Sequence, residues 1–115
     1  MANDFKRFCK PDVGTSNTTL YTVPGSSKES IVIGITMANK SNSGITGSIF
    51  IDNEDGTNDV FIVKDASIPA GSSLEVMSGN KLVLQSDASG NADNLEALAS
   101  AASALDVTVS VLEDV

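Results

Sequence analysis

The closing run Val107-Thr108-Val109-Ser110-Val111 alternates apolar and polar residues at a strict period of two. An extended chain sends successive side chains to opposite faces, so the three valines share one face and the hydroxyl residues the other. A helix would scatter them. The same rhythm returns along most of the chain, with turn chemistry every ten residues or so. Thr19 to Val23 reads as a strand ended by Pro24-Gly25, and "ESIVIGITMAN" (29 to 39) reads as the next. In that strand Ile31, Ile33, Ile35 and Met37 are expected on one face, with Gly34, Thr36 and Ala38 on a tighter second face. Ile45 to Ile51, "VFIVKD" (60 to 65), "SLEV" (73 to 76) and "KLVLQS" (81 to 86) follow, separated by polar or Gly-rich turns.

The segment "DNLEALASAASAL" (93 to 105) is ambiguous. Ala and Leu favour helix, and Asp93 or Asn94 offers an N-cap. Ser100 and Ser103 interrupt it, however, and Leu95, Ala97 and Ala99 alternate at period two. A strand over roughly 94 to 99 followed by a small-residue loop is the favoured expectation. The whole pattern predicts an all-β fold, an antiparallel β-sandwich of about seven or eight strands. Jelly-roll and immunoglobulin-like Greek-key connections both fit. The expected organisation is an extended N-terminal arm and loop over 1 to 18, then a single sandwich domain over 19 to 115.

Length and charge narrow the function. A chain of 115 residues supports one core, and 41% hydrophobic content is enough to build it, chiefly from Ile, Val, Leu and Ala. The net charge of -8 repels phosphate backbones and anionic lipid heads, which predicts neither a nucleic-acid nor a membrane partner. Cys9 is the single cysteine and histidine is absent, which excludes an internal disulfide, zinc fingers and His-based triads. "MANDFKRF" lacks the apolar stretch of a signal peptide, so synthesis in a cytoplasm is expected.

The candidate chemistry is sparse. "DNEDGTND" (52 to 59) concentrates four acids around Gly56. Aligning Gly56 with the sixth position of an EF-hand loop puts Ile51 first and Ile62 twelfth, where oxygen ligands are required. A looser cation site from Asp52, Asn53, Asp55 and Asp59 is the alternative to a hairpin tip built on Asp55-Gly56, and the tip is favoured. Acids crowded on one exposed tip do not make the separated pair that glycoside hydrolysis needs. Ser78 and Lys81 have Ser-x-x-Lys spacing but fall in a turn, whereas the acyl-transfer motif opens a helix. Asn17-Thr18-Thr19 marks an exposed polar loop. Cys9 has basic neighbours that favour a thiolate, though a free thiol tucked beside Phe8 into an interface is the plainer reading. The expectation is a protein with no enzymatic activity, no cofactor and no metal.

Phe5, Lys6, Arg7, Phe8 and Lys10 form the strongest candidate contact. Within the first ten residues, three basic side chains face Asp4 alone, giving a local charge of +2 and leaving -10 for the rest. Such a segment can be a loose terminus, a cap on the domain's own core, or an arm that anchors its aromatics on a neighbouring acidic subunit.

Tyr21-Thr22-Val23-Pro24, Ile31 to Ile35 and Ala38-Asn39 resemble small virion structural proteins of tailed bacteriophages, notably marine and cyanobacterial ones. That group shares a "TxxxxVYTVP" run, a polar turn and an "xIVIGLxVAN" strand. "VKDASIPAGSSLEVMSGNKLVLQSDA" is similar to its "IPAGSSLxxxxGxKLVLxxGD" section, and "SALDVTVSVLEDV" to its closing strand. The likeness runs over about residues 14 to 112 and departs at the longer polar insert "SDASGNADN". It implies a β-sandwich that attaches to or forms part of a capsid or tail. The expected function is a capsid decoration or cement protein bound to the major capsid protein or other virion proteins, located in the virion, and homo-oligomeric with a trimer favoured. A neck, tail or head-fibre component is the alternative within that class, and a receptor- or glycan-binding module the alternative outside it.

Overall fold

A computed structural model describes residues 3–53, 59–77 and 81–114. Among these residues every regular element is a strand: β1 (Asn3–Val13), β2 (Thr18–Thr22), β3 (Glu29–Asn39), β4 (Ile45–Asp52), β5 (Val60–Ile68), β6 (Ser73–Glu75), β7 (Leu82–Gln85), β8 (Asn94–Ala99) and β9 (Leu105–Asp114). One sheet runs β1-β9-β3-β6, with β7 also on β3; the other runs β2-β8-β4-β5. We call them the long and the short sheet. All pairings are antiparallel.

The pairing pattern decides between the two expected topologies. β1 pairs β9, β2 pairs β8, β3 pairs β6 and β7, and β4 pairs β5. The chain is therefore a long hairpin folded double, with successive strand pairs laid on alternate sheets. That is a jelly roll.

The core lies between the sheets. β9 supplies Val107, Val109 and Val111, all buried, while Thr108 is exposed, as its alternation requires. β8 supplies Leu95, Ala97 and Ala99 in the same manner, and its bounds match the strand expected there. Gly47 of β4 faces the same core. A Cβ there would meet the Met37 sulfur at 3.0 Å and the Ile68 Cδ1 at 3.3 Å, so the sheets close to this distance only over a residue without a side chain.

Two sequence expectations change. Residues 3 to 13, expected as an arm, form β1, the edge strand of the long sheet, and bring the total among the described residues to nine strands. Their periodicity is hidden by a bulge between Lys10 and Val13, where Asp12 takes a φ of 58°. The bulge lets Phe8 and Val13, an odd number of residues apart, both face the core. The second change is in β3. Val32, Ile35 and Met37 are fully buried, but Ile33 is 39% exposed and Ile31 only half-buried. Val32 pairs Val111 and Gly34 pairs Ser110, so Ile33 is the extra residue of a bulge and the apolar face changes sides there.

Candidate interaction surface

β1 carries the five candidate contact residues and separates them by parity. Phe8 turns inward, packing on Tyr21 of β2 with ring centroids 4.9 Å apart. Phe5 lies three residues away on the opposite face and is 77% exposed. Arg7 shares the outer face with Phe5, while Lys6 and Lys10 point to the inner side at the margin of the sandwich and remain exposed. One aromatic therefore caps the domain's own core and the other faces away from it. The basic residues do not form one patch.

The carboxyl end of β1 is tied down. Lys40, just after β3, is paired with Asp12 of the β1 bulge and with Asp106 of β9, the latter at 2.9 Å. The Asp12 amide also donates to Asp106 Oδ1 at 3.1 Å. Hydrogen bonding to Asp12, then to Asp106, raises the Lys40 pKa, and Lys40 lowers that of Asp106. A groove beside this staple is lined by Cys9, Lys10, Pro11, Asp106, Val107 and Thr108. Its carboxylate is already committed to Lys40. Cys9 there is a free, exposed thiol.

Phe5 is the end of a row. It pairs Leu112 of β9, Leu112 pairs Ile31 of β3, and Ile31 pairs Val83 of β7. Directly opposed residues share a sheet face, so four apolar side chains line up across the outer face of the long sheet. Phe5 and Val83 are exposed, Leu112 and Ile31 half-buried, and the bulged Ile33 adds to the patch. The sequence reading missed this row. Val83 carried a local signal, an apolar residue on the solvent parity of "KLVLQS", whereas Ile33 was hidden by its bulge.

The short sheet has outward apolar residues too and covers one of them, Phe50, beneath Phe61, which is itself 42% exposed. Phe50 is 2% exposed and lies outside the core cluster that its neighbour Ile49 joins. Phe61, opposite it on β5, stacks on it at 5.1 Å, and the Lys64 ammonium sits 5.1 Å from the Phe61 ring. Beside them Glu96 is half-buried, and burial, helped by the charge of Asp52, raises its pKa. Thr19 donates to it at 3.4 Å.

The flanks of the acidic stretch pair as a hairpin, with Ile51 opposite Val60. Residues 54 to 58, including Asp55-Gly56, lie outside the described residues, as do Ser78, Gly79 and Asn80. Among the described residues no group of three or more acids or cysteines is placed to hold a metal ion. The polar insert at 86 to 94 is a closed turn built on Asp87, whose carboxylate accepts from the Ser89 and Asn91 amides, each at 2.9 Å, and from Asn91 Nδ2 at 3.0 Å. These bonds, the Asn91 side chain foremost, lower the Asp87 pKa.

Two buried polar sites fix the frame. The Tyr21 hydroxyl donates to Glu113 Oε2 at 2.5 Å and lies 2.7 Å from Ser30 Oγ, which joins β2 of one sheet to β3 and β9 of the other. Burial, then the bond to Glu113, raises the Tyr21 pKa, which leaves the hydroxyl a donor and no base. Asn39 donates to the carbonyls of Ser43 and Ile68 and accepts from the Ser41 amide and hydroxyl, so all of its capacity is used.

No family model matches the sequence, and no curated protein matches it. Among solved structures, a chain from "Structure of infectious bursal disease virus Gx strain" is similar, with a TM-score of 0.50 and 13% identity. The match covers 96% of this chain and 32% of that one, so the chain spans about a third of its neighbour's length. At this identity the likeness is one of fold.

Proposed function

We propose that this chain is a structural protein of a virus particle, and more narrowly a decoration or cement protein on the outer shell of a tailed bacteriophage. The observation that carries the reading is the jelly roll, matched over 96% of its length to a chain of a virus structure. Jelly rolls recur in viral capsid domains and also in lectins, so fold alone is an argument by analogy. The phage-like strand and turn motifs over residues 14 to 112 favour the viral side. In this reading the protein is no enzyme. It binds the major capsid protein or other virion proteins, works in the virion, and reinforces the shell by burying apolar area between subunits. Many modest contacts repeated over a lattice give high avidity without any reacting group.

The test is to add purified protein to mature shells that lack it and image them by cryo-electron microscopy. Density at regular lattice positions is the expected result. Density confined to the unique vertex would move the protein to the neck, tail or a head fibre. Glycan binding with no affinity for shells would replace the proposal with a recognition module.

A further inference from the structure

We infer that the outer face of the long sheet is a self-association surface, on which a second copy of this chain packs face to face about a two-fold axis lying along the Phe5-Leu112-Ile31-Val83 row. This inference rests on the surface alone and does not require the virion reading.

Three observations select that occupant. The first is shape. The row crosses four paired strands, and at ~4.8 Å per strand it is roughly 15 Å wide. Aliphatic and aromatic side chains standing on a sheet are what a second sheet packs against, about 10 Å away. The second is net charge. A chain at -8 opposes its own association through most contacts, but the charged neighbours on this face are of both signs.

The third is the order of those charges. β1 and β3 run in the same direction, because each is antiparallel to β9. Arg7 lies two residues beyond Phe5, on one flank of the row. Lys81, two residues before Val83 on the oppositely directed β7, lies on that same flank. Glu29, two residues before Ile31, lies on the other flank, and all three are exposed. Glu75, bonded to Thr36 and the Ile35 amide beside Gly34, also lies on the Arg7 flank and leaves it with a net charge of +1 against -1. Rotation by 180° about the row exchanges the flanks. It sets the Arg7 and Lys81 side of each copy over the Glu29 side of its partner, twice per dimer. A two-fold axis along the strands would instead set like charge over like. The self-complementary pattern therefore specifies one orientation, as an isologous contact requires. A trimer, expected from the lattice reading, does not use this face in that way.

The contact is one apolar row flanked by exposed charges, so a weak dimer is expected, with a dissociation constant on the order of 10–100 μM. Sedimentation equilibrium of the full chain from about 1 μM to 1 mM reads the mass directly. The expected result is one chain at low concentration and two at high. Val83→Glu weakens the dimer by about tenfold or more, with thermal unfolding unchanged, because Val83 is 57% exposed. Glu29→Lys and Lys81→Glu each weaken it, and the double exchange restores affinity to within about threefold of the wild type, an outcome that only an intermolecular pairing gives. A mass of one chain throughout would overturn the proposal. So would a trimer, or a dimer indifferent to Val83→Glu.

Discussion

Phe50 and Phe5, outward aromatics of the short and the long sheet, are treated in opposite ways, although Phe61 of the short sheet is itself 42% exposed. On the short sheet Phe50 is sealed beneath Phe61, with Lys64 lying over the second ring. On the long sheet Phe5 stands 77% exposed at the end of an apolar row that the chain leaves open. Both sheets carry bulges, but those of β4–β5 stack the two rings, whereas the bulge in β3 turns Ile33 out toward solvent. A covered aromatic contributes to the stability of its own fold. An open one contributes only when something else covers it.

Replacing each aromatic by alanine is the largest test of that contrast. Phe50→Ala should lower the unfolding free energy by about 3–4 kcal/mol, since it removes a buried ring and strands its partner. Phe5→Ala should change it by less than about 0.5 kcal/mol in dilute solution. Urea unfolding of both variants, monitored at low protein concentration, measures the difference. Comparable losses would mean that Phe5 is already covered within the single chain, and the contrast between the faces would fail.

Strand β8 of the short sheet was legible because its period is unbroken, although the strands beside it carry bulges. Leu95, Ala97 and Ala99 alternate without interruption, and the expected strand over 94 to 99 is β8. Around the long sheet's open face the same rule misleads. A single bulged residue, Ile33, reverses the parity of β3, so Ile31 and Ile33 read as sharing the face of Ile35 and Met37, although Val32 is the residue that joins those two in the core. β1 was illegible for a related reason. Only Phe8 and Val13 touch the core, and the Asp12 bulge sets them five residues apart. The five candidate contact residues were identifiable as a group by composition, but parity within a strand sorts them, and parity could not be assigned before the strand was known. The apolar row is a matter of register between four strands distant in sequence, and one sequence does not encode register locally.

The contrast between faces presumes that the sheets unfold as one unit, and Tyr21 tests that presumption. Its hydroxyl is a direct polar link between them, through Ser30 and Glu113. Tyr21→Phe keeps the ring against Phe8 but leaves the buried Glu113 carboxylate without that donor, a loss of about 2 kcal/mol. The dependence on urea should keep its slope, because a cooperative sandwich exposes the same surface in either variant. A shallower or two-step transition would show that the sheets come apart separately. The outer faces would then have to be compared as two bodies.

The smallest expected effects come from two acids, one on each sheet, whose pKa values move in opposite directions. Glu75 of β6 accepts from Thr36 Oγ1 at 2.7 Å and from the Ile35 amide, just past the β3 bulge, at 3.2 Å. The Thr36 bond is the main cause of its lowered pKa. A carboxyl whose pKa falls on folding adds stability above its unfolded value near 4.5, and that contribution disappears as pH drops through the folded value. Glu96, raised chiefly by burial, does the reverse: it favours the folded state at low pH and opposes it once ionised. Glu75 is exposed and half-buried Glu96 keeps part of its surface in water, which screens the effects, so each should appear as a shift of a degree or so in melting temperature. At pH 7 Glu75→Gln should lower the melting temperature and Glu96→Gln should raise it. As pH falls through the folded pKa of each carboxyl, the corresponding variant should approach the wild type, Glu96 at higher pH than Glu75. Melting curves across that range check the signs. If both variants moved the same way, the bulge-capping role of Glu75 and the half-buried position of Glu96 would no longer distinguish the two faces electrostatically.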